Sequence, residues 1–193
     1  MRSAEFGSST LPTCVLAAVY GHALPFCVFD DKLCIDVDVL PPADDLFRLA
    51  WMAALSELHT PSLAVVQAML LLIQRRPTNK HVADTPFKWV MLADTVAVSQ
   101  CLGLNLDPTD WPIPAWEKKL RRRLAWAVCV QDHFLSLNFG RSSHIQEHDW
   151  DVSVLSEDDL DSSHDACDMS NSKHFLHLAS LAGIVSRIQR DLL

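Results

Sequence analysis

The sequence is poor in the motifs on which nucleotide-binding proteins and many hydrolases depend. Its 193 residues include only 5 glycines, and none of these lies in a P-loop, a G-x-G-x-x-G fingerprint or a G-x-S-x-G elbow. Those motifs use glycine to bring the backbone close to a phosphate or to expose a nucleophile. Their absence argues against a phosphate cradle and against serine-hydrolase chemistry. A hydrolase without a recognisable motif remains an alternative.

Paired cysteines are also missing. No two of the six cysteines have the C-x-x-C spacing of a zinc site. We therefore expect no metal and no cofactor in this chain, and free thiols, as in a reducing compartment. Cys101 and Cys129 lie in apolar helical patterns, which favours small core residues over a disulfide. The cysteines are Cys14, Cys27, Cys34, Cys101, Cys129 and Cys167.

Basic residues are outnumbered by acidic ones. The chain has 16 Lys and Arg against 24 Asp and Glu, a net charge of −8. A surface that grips nucleic acid needs clustered positive charge. Residues 142–172 contain no Lys or Arg at all. This acidic segment is interpreted as a solvated loop, with a partner-docking segment as the alternative.

Long apolar runs are absent too. The longest candidate, residues 63–73, is interrupted by Gln67 and is shorter than the roughly 20 residues that cross a bilayer. The N-terminal residues resemble a signal peptide only faintly, because Glu5 and several serines precede the apolar stretch. We expect no membrane contact, a disordered N-terminus at residues 1–10 and one domain over residues 11–193.

The overall composition of the chain favours helices. Hydrophobic residues make up 49% of the chain, and the apolar positions recur at intervals of three and four. The predicted fold is all-α, a single bundle or irregular α-solenoid of about six helices. Residues 34–40 alternate as a strand would, but without a partner strand we interpret residues 25–42 as an extended connector. The helices are expected near residues 11–24, 44–58, 60–76, 85–101, 114–139 and 173–193.

The stretch 85–152 organises the rest of the chain. Thr85-Pro86 suits a helix start, and Gly103 suits a helix end. A proline-rich corner leads to a second helix, whose middle at residues 124–130 is apolar all round and so belongs in the centre of a bundle. The expected buried faces are Trp89, Leu92, Ala93, Val96, Ala97 and Cys101 on the first helix, and Trp116, Leu120, Leu124, Ala127 and Leu135 on the second. On the final helix of the chain, the expected buried face is Phe175, Leu178, Ala179, Ala182, Val185, Ile188 and Leu192. Trp111, Trp116, Trp126 and Trp150 are expected in the core or locking the corner.

One motif suggests chemistry. His144, Glu147 and His148 match H-x-x-E-H, the inverted zinc-peptidase signature. That chemistry needs both histidines on one face of a buried helix and a third, distal ligand. The motif follows a Gly-Arg-Ser-Ser break, and only an acidic loop and one amphipathic helix come after it. A zinc metallopeptidase is therefore a remote alternative, and we predict that the chain is not an enzyme.

Two charged features call for a structural explanation. Asp132 interrupts an apolar helix, so it needs a partner, and Arg141 is the nearest cation after that helix. The basic cluster at residues 117–123 fans round its helix, since consecutive positions turn by about 100°. We expect this cluster to be a solvated helix start that pairs with nearby acids. A nucleic-acid patch or a nuclear-import signal is the alternative.

An ordered set of short motifs resembles the fungal-specific transcription factor domain, the middle homology region of fungal zinc-cluster regulators. Two positions depart from the family pattern, His133 where it has Arg and Ser142 where it has Pro. The tract around residues 46–72, with Ser56-Glu57-Leu58-His59-Thr60-Pro61, is similar to nitrogen-utilisation co-regulators. The matching pieces are Pro61-Ser62-Leu63, Gln67-Ala68, Leu102-Gly103-Leu104, Asp107-Pro108-Thr109, Trp116-Glu117, residues 120–124, Trp126, Asp132, Ser136-Leu137, Gly140-Arg141 and Asp149-Trp150-Asp151-Val152.

The resemblance implies a nuclear regulatory domain that modulates transcription of metabolic genes. It implies other transcription regulators or a second copy as partners, and a small-molecule effector. DNA would be bound only through a zinc cluster, which this chain does not contain. More helices follow in the family, so the domain is expected to be incomplete here. The alternative from a different class is a helical interaction or dimerisation scaffold.

Overall fold

The computed structural model describes residues 11–33, 40–77, 84–160 and 166–192, and for Glu147, residues 166–172 and Leu192 it describes the backbone alone. Six α-helices of about three or more turns account for most of these ranges, and the only β-type pairing among them is an isolated bridge between Leu106 and Asp151. The all-α prediction is confirmed. The helices are α1 (Thr13–Ala23), α2 (Ala43–Ser56), α3 (Leu63–Ile73), α4 (Thr85–Cys101), α5 (Ala115–Phe139) and α6 (Ala166–Leu192).

The core lies where the sequence is most apolar. α3 is packed by α1, α2, α4 and α5, and six of its eleven residues are buried. The apolar middle of α5 is buried as predicted, with Leu124, Ala125, Val128, Cys129 and Val130 each 7% exposed or less. α5 also packs against α6, so its two sides face two apolar clusters. α5, whose middle is apolar all round, thus contributes side chains to both apolar clusters of the molecule.

Several boundaries differ from those predicted. Residues Leu24–Phe29 form a 3-10 helix rather than an extended connector. Six residues, 57–62, separate α2 from α3, whereas the helices predicted near residues 44–58 and 60–76 are almost contiguous. α6 begins at Ala166, seven residues before the predicted start. The predicted disordered N-terminus, most of the alternating stretch at residues 34–40 and the segment 161–165 lie outside the described residues.

The buried face of α4 was predicted only in part. Leu92 and Val96 are buried, but Ala97 and Cys101 are exposed. Two hydroxyl residues, Thr95 and Ser99, are fully buried in addition. Their side chains donate to the carbonyl oxygens four residues earlier, at 2.7 Å in each case. Because this internal bond removes the cost of burying a hydroxyl, the helix can turn a polar pair inward.

The faces of α5 and α6 contain further corrections. Trp116, expected in the core, is 63% exposed. On α6 the predicted inward Ile188 is 47% exposed, while Gln189 beside it is 8% exposed. The amide of Gln189 donates to the Ser136 hydroxyl oxygen on α5 at 2.9 Å. A polar contact between two helices thus replaces the apolar one that periodicity predicted.

The α3–α4 connection is held by a charge pair. Arg75 falls in the last turn of the helix predicted at residues 60–76, but that helix ends at Ile73. Arg75 instead lies 3.3 Å from the carboxylate of Asp84 and stacks over Phe87 at 4.2 Å. Asp84 occupies the N-cap position of α4 that the sequence suggested for Thr85. One arginine therefore joins the end of α3 to the first turn of α4.

Gly103 and Gly140 end α4 and α5, as predicted. Both have left-handed backbones, with φ of 69° and 60°, a conformation that costs glycine little. A Cβ on Gly103 would also lie 3.0 Å from the Trp111 ring. Among the described residues, no helix is long and apolar enough to cross a membrane.

Candidate functional site

The polar centre of the molecule is Asp132 on α5, which is fully buried. Its Oδ1 accepts the backbone N–H of His144 at 3.1 Å and lies 2.9 Å from Nδ1 of the same residue. Its Oδ2 accepts the backbone N–H of Ile145 at 2.9 Å and the hydroxyl of Ser143. Both carboxylate oxygens face the return segment, residues 141–160, which follows α5. The carboxylate therefore fixes that return segment against the helix, as a buried anion with full hydrogen bonding can.

Arg141 does not pair with Asp132, contrary to the sequence prediction. The chain turns at Gly140, and the guanidinium of Arg141 stacks over the Trp89 ring of α4 at 5.0 Å. His144 packs on the same ring, with 4.1 Å between centroids. The groups that contact Asp132 in place of Arg141 thus include the His144 side chain and two backbone amides. The prediction that Asp132 needs a structural partner is right, but the predicted partner, Arg141, is wrong.

The H-x-x-E-H motif does not form a two-histidine helix face. His144 is turned inward toward Asp132, and the 3-10 helix that follows spans only Glu147–Asp149. The side chain of His148 is 79% exposed and lies 3.5 Å from Asp149. Among the described residues, no group of three or more His, Cys, Asp or Glu side chains could hold a metal ion. The arrangement that inverted zinc-peptidase chemistry needs is not present in these residues.

The corner between α4 and α5 is tied to the segment after Asp132. The Asn105 carbonyl accepts the Asp151 N–H at 2.8 Å, and the Asn105 amide donates to the Asp149 carbonyl at 3.0 Å. Asp107 accepts the Ser153 N–H at 2.8 Å. Burial tends to raise the pKa of Asp107, but hydrogen bonds from Ser153 and Thr109 outweigh it and hold that pKa well below its usual range.

Three side chains of the basic cluster at residues 117–123 point into contacts within the protein. Arg121 pairs with Glu117 at 2.9 Å, donates to the Leu102 carbonyl at 3.0 Å and stacks over Trp111 at 5.1 Å. Arg122 lies 2.7 Å from the carboxylate of Asp159. Lys118 donates to the carbonyl of Thr109 at 2.7 Å. These contacts favour the structural interpretation of the cluster over a nucleic-acid patch.

The acidic segment is anchored at a further point, Asp159. Asp159 is 2% exposed, and besides Arg122 it accepts the N–H and the hydroxyl of Ser156 at 3.0 Å each. Leu155 and Leu160 on either side of it are buried. The expectation of a solvated loop is therefore wrong for Leu155, Asp159 and Leu160. Glu157 and Asp158 are exposed, as that expectation had it.

Two adjoining cavities lie between the return segment and α6. The first has a volume of about 490 Å³ and the second about 320 Å³. They share His133, Ile145 and Ser186 in their walls. Gln189 lines the larger cavity, and its Oε1 has no hydrogen-bond partner among the described residues. A cleft of this size admits a small molecule.

The cysteines divide into buried and accessible thiols. Cys14 and Cys129 are buried, and Cys101 is exposed, so the predicted core role is right for Cys129 and wrong for Cys101. Burial raises the pKa of the Cys129 thiol, and the charge of Asp132 raises it further. Burial also raises the pKa of Cys14, with Glu57 adding to the effect. Cys34 and the Cys167 side chain lie outside what the structure describes.

Sequence reasoning missed most of the side chains that complete these contacts. Ser143, Asn105 and Asp159 lie 11, 44 and 3 positions from the groups they bond. Ser156 and Asp159 carry the one local signal, a capping-box spacing of three residues. The other two bonds join distant segments and leave no local pattern.

The chain is similar to known fungal transcription regulators. It is 34% identical over 150 residues to the transcriptional activator protein DAL81 of Saccharomyces cerevisiae, covering 76% of this chain and 14% of that protein. It is 31% identical over 195 residues to an uncharacterized transcriptional regulatory protein of Schizosaccharomyces pombe, covering 96% of this chain and 27% of that protein. The acetamidase regulatory protein of Aspergillus fumigatus is 29% identical over 130 residues, which cover 66% of this chain and 16% of that protein.

This chain therefore spans only about a quarter or less of the length of these relatives. No solved structure matches it. The model of the family described as the fungal specific transcription factor domain matches residues 15–192, which include all six α-helices except the first two residues of α1. The chain belongs to the fungal-specific transcription factor domain family.

Proposed function

We propose that this domain is the regulatory region of a nuclear fungal transcription regulator that modulates RNA polymerase II transcription of metabolic genes. The observation that carries the proposal is the family match over residues 15–192. Relatives named as a transcriptional activator and as an acetamidase regulatory protein support a role in nitrogen or amino-acid utilisation. The internal use of the basic cluster supports a regulatory rather than a DNA-binding role for this segment.

DNA recognition is assigned to a zinc cluster elsewhere in the regulator. The described cysteines of this chain do not fit such a cluster, because Cys14, Cys101 and Cys129 lie on three different helices and two of them are buried. A cluster needs closely spaced thiolates around the metal. This domain then acts through partners, either other transcription regulators or a second copy, and through an effector.

The cleft between the return segment and α6 is the place we assign to a small-molecule effector. It joins the segment fixed by Asp132 to the C-terminal half of α6, so a ligand there contacts two elements at once. A molecule that binds the folded domain and not the unfolded chain stabilises it in proportion to its saturation. Effector binding at this cleft would thereby bias the position of α6 against α5.

A tethered reporter assay tests the regulatory function. The chain is fused to a heterologous DNA-binding domain, and reporter transcription is measured in fungal cells on different nitrogen sources. We expect transcription to differ severalfold from that with the DNA-binding domain alone, and Asp132→Ala to abolish the difference at equal protein level. A reporter that never responds, with the chain folded and in the nucleus, would contradict the proposal.

The scaffold alternative predicts a different result. A pure dimerisation domain leaves the reporter unchanged, gives a mass that rises with concentration, and shows no shift in melting temperature with any small molecule. Zinc analysis decides the remote peptidase alternative. A stoichiometric zinc that is lost in His144→Ala would favour the enzyme. We expect no bound zinc, because no group of three possible ligands forms among the described residues.

A further inference from the structure

Gly183 lies in the interior of α6, at a position where packing does not require glycine. Its φ is not in the left-handed region. A Cβ built on it would have no atom of the described chain within 4 Å, apart from its own helix backbone and adjacent residues. Glycine is among the least favourable residues inside a helix. Gly183 lines the smaller of the two cavities beside the return segment, so the missing side chain keeps part of that cavity open.

The two cavities lie along one face of α6. Gly183, Ser186 and Gln189 follow one another at intervals of three, so the three positions share a helix face. Gly183 lines the smaller cavity, Gln189 lines the larger one, and Ser186 lines both. Six residues of α-helix span about 9 Å. The cleft between α6 and the return segment therefore has one side that is continuous across both cavities.

The two ends of the cleft differ in polarity. Trp126, Trp150 and Val152 line the smaller cavity, together with the small residues Ser180 and Gly183 of α6. An indole ring presents a flat apolar face, so a cavity with two such rings and a wall of small residues suits a planar ring. The larger cavity is lined mainly by side chains that form hydrogen bonds, among them Ser142, Ser143, Gln146, His148 and Gln189. The cleft thus suits a molecule with a ring at one end and a polar group at the other.

Two side chains that line the cleft have buried polar atoms without a partner. Gln189 is 8% exposed, and its Nε2 donates to the Ser136 hydroxyl oxygen at 2.9 Å. That hydroxyl donates to the His133 carbonyl at 3.0 Å, so it can only accept from Gln189, which fixes the orientation of the amide. Oε1 of Gln189, an acceptor, and Nε1 of Trp150, a donor, have no hydrogen-bond partner among the described residues. Because buried polar groups are normally hydrogen-bonded, a ligand with both a donor and an acceptor would complete them.

The charges around the cleft offset one another. Arg187 and Arg190 line it, and no Asp or Glu does so among the residues whose side chains are described. Three carboxylates nevertheless lie next to its walls. An ion of either sign would therefore be close to a group of its own sign, which favours an uncharged ligand. The three are Asp132, which is bonded to Ser143, Asp149, 3.5 Å from His148, and Asp191, 3.6 Å from Arg190.

We infer that this cleft binds an uncharged, planar aromatic molecule that carries a carboxamide or a similar group able to donate and to accept hydrogen bonds. Its ring lies over Gly183 beside Trp126 and Trp150, and its N–H donates to Oε1 of Gln189. A bicyclic ring with an amide side chain matches the length of about 9 Å between these two positions of α6. The inference names the ligand class of the effector cleft, so it rests on the proposed function.

Ligand-detected NMR titration of the purified chain tests the inference with three probes that share one ring. Indole-3-acetamide is uncharged, indole-3-acetate is its anionic counterpart, and tryptamine is its cationic counterpart. We expect indole-3-acetamide to bind with a Kd of about 1 mM or lower, as a ligand of this size can. The two ions should bind at least about 10-fold more weakly, because each brings an unpaired charge into the cleft.

Two variants test the two ends of the cleft. Gly183→Leu should weaken binding of indole-3-acetamide by at least about 10-fold, because the new side chain occupies the place of the ring. Its melting temperature should be unchanged or higher, since leucine is the better helix former. Gln189→Met should weaken binding by about 10-fold, because the acceptor is lost. Ile184→Ala is the matched control, since Ile184 is 44% exposed on α6 and lines neither cavity, and it should leave binding unchanged.

Circular dichroism should show every variant folded. No binding of indole-3-acetamide to the native chain, or equal binding to folded Gly183→Leu, overturns the inference. Tighter binding of indole-3-acetate or tryptamine overturns the uncharged class. The reporter assay separates this inference from the proposed function. A responsive reporter without binding contradicts the ligand class alone, whereas binding with a silent reporter contradicts the proposed function alone.

Discussion

At the scale of single residues, stability depends on a buried carboxylate rather than on apolar contacts alone. Asp132 has no exposed surface, and four donors from Ser143, His144 and Ile145 converge on it. If the carboxylate is removed, two backbone amides and two side-chain groups lose their acceptor together. Each such loss costs about 1 to 3 kcal/mol when the group stays buried.

Asp132→Ala should therefore lower the free energy of unfolding by about 3 kcal/mol or more. Asp132→Asn should lower the free energy of unfolding by less, about 1 to 2 kcal/mol. Its one side-chain oxygen still accepts hydrogen bonds, whereas its NH2 group cannot accept from the donors that faced the second carboxylate oxygen. Urea unfolding measures both. Asp149→Ala is the control, since that side chain is 53% exposed, and it should change stability by less than about 0.5 kcal/mol. Equal stability of Asp132→Ala and the native chain would contradict the assigned role.

At the scale of elements, two tethers hold the return segment to the helices before it. Arg122 on α5 reaches Asp159 in the acidic segment, and Asp107 in the corner reaches Ser153. The first tether joins residues 37 positions apart in the sequence, and the second joins residues 46 positions apart. Both tethers are polar contacts between distant parts of the chain, so the packing of α5 against the return segment depends on polar contacts as well as on apolar burial.

Breaking the first tether leaves a buried charge. Arg122→Ala removes the cation from a carboxylate that is 2% exposed, and we expect a loss of about 2 to 3 kcal/mol in the free energy of unfolding. Lys119→Ala on the same helix, without such a contact, should be nearly neutral. The double variant Arg122→Ala with Asp159→Asn should recover part of the loss, since it removes the unpaired charge. An additive double variant would show that the two side chains are not coupled.

The second tether predicts a dependence on pH. The pKa of Asp107 is lower in the folded chain than in the unfolded chain, so its ionised form stabilises the fold above about pH 4. That stabilisation is lost as the pH falls toward the folded value. Asp107→Asn should be less stable than the native chain at pH 6, and the difference should shrink as the pH is lowered to about 2. A difference that does not change with pH would contradict an ionised Asp107 in these bonds.

The spacing of apolar residues predicted the bounds of α5 well, but not which residues contact distant parts of the chain. α5 was predicted at residues 114–139 and is observed at Ala115–Phe139, because its apolar middle and Gly140 are local signals. Trp116 and Ile188 were placed inward by the same periodicity and are exposed. Spacing along one helix does not record which of its turns has a neighbour, and on α6 it is Gln189 rather than Ile188 that faces α5. The contacts of Ser143 with Asp132 and of Asp159 with Arg122 could not be found, because they are set by the tertiary path of the chain.

At the scale of the whole molecule, α5 is the wall that two apolar clusters share. Val128 and Cys129 face the larger cluster with α1, α3 and α4, and Val130 faces the smaller one with α6. Trp126 packs against both clusters. An element that serves two clusters cannot leave one without disturbing the other. The described helices should therefore unfold as one cooperative unit.

Alkylation of the cysteine thiols tests whether the helices unfold as one cooperative unit. Cys14 on α1 and Cys129 on α5 are 0% and 5% exposed in the same cluster, and the pKa of each is raised. A raised pKa lowers the thiolate fraction, and the thiolate is the reactive form. Exposed Cys101 should be alkylated rapidly in the native state, while Cys14 and Cys129 react only as urea populates the unfolded chain, with the same dependence on urea. Alkylation followed by peptide mass spectrometry reads each site separately. If Cys129 reacted at lower urea than Cys14, α5 would separate from the bundle before α1 does, and the shared wall would not couple the two clusters.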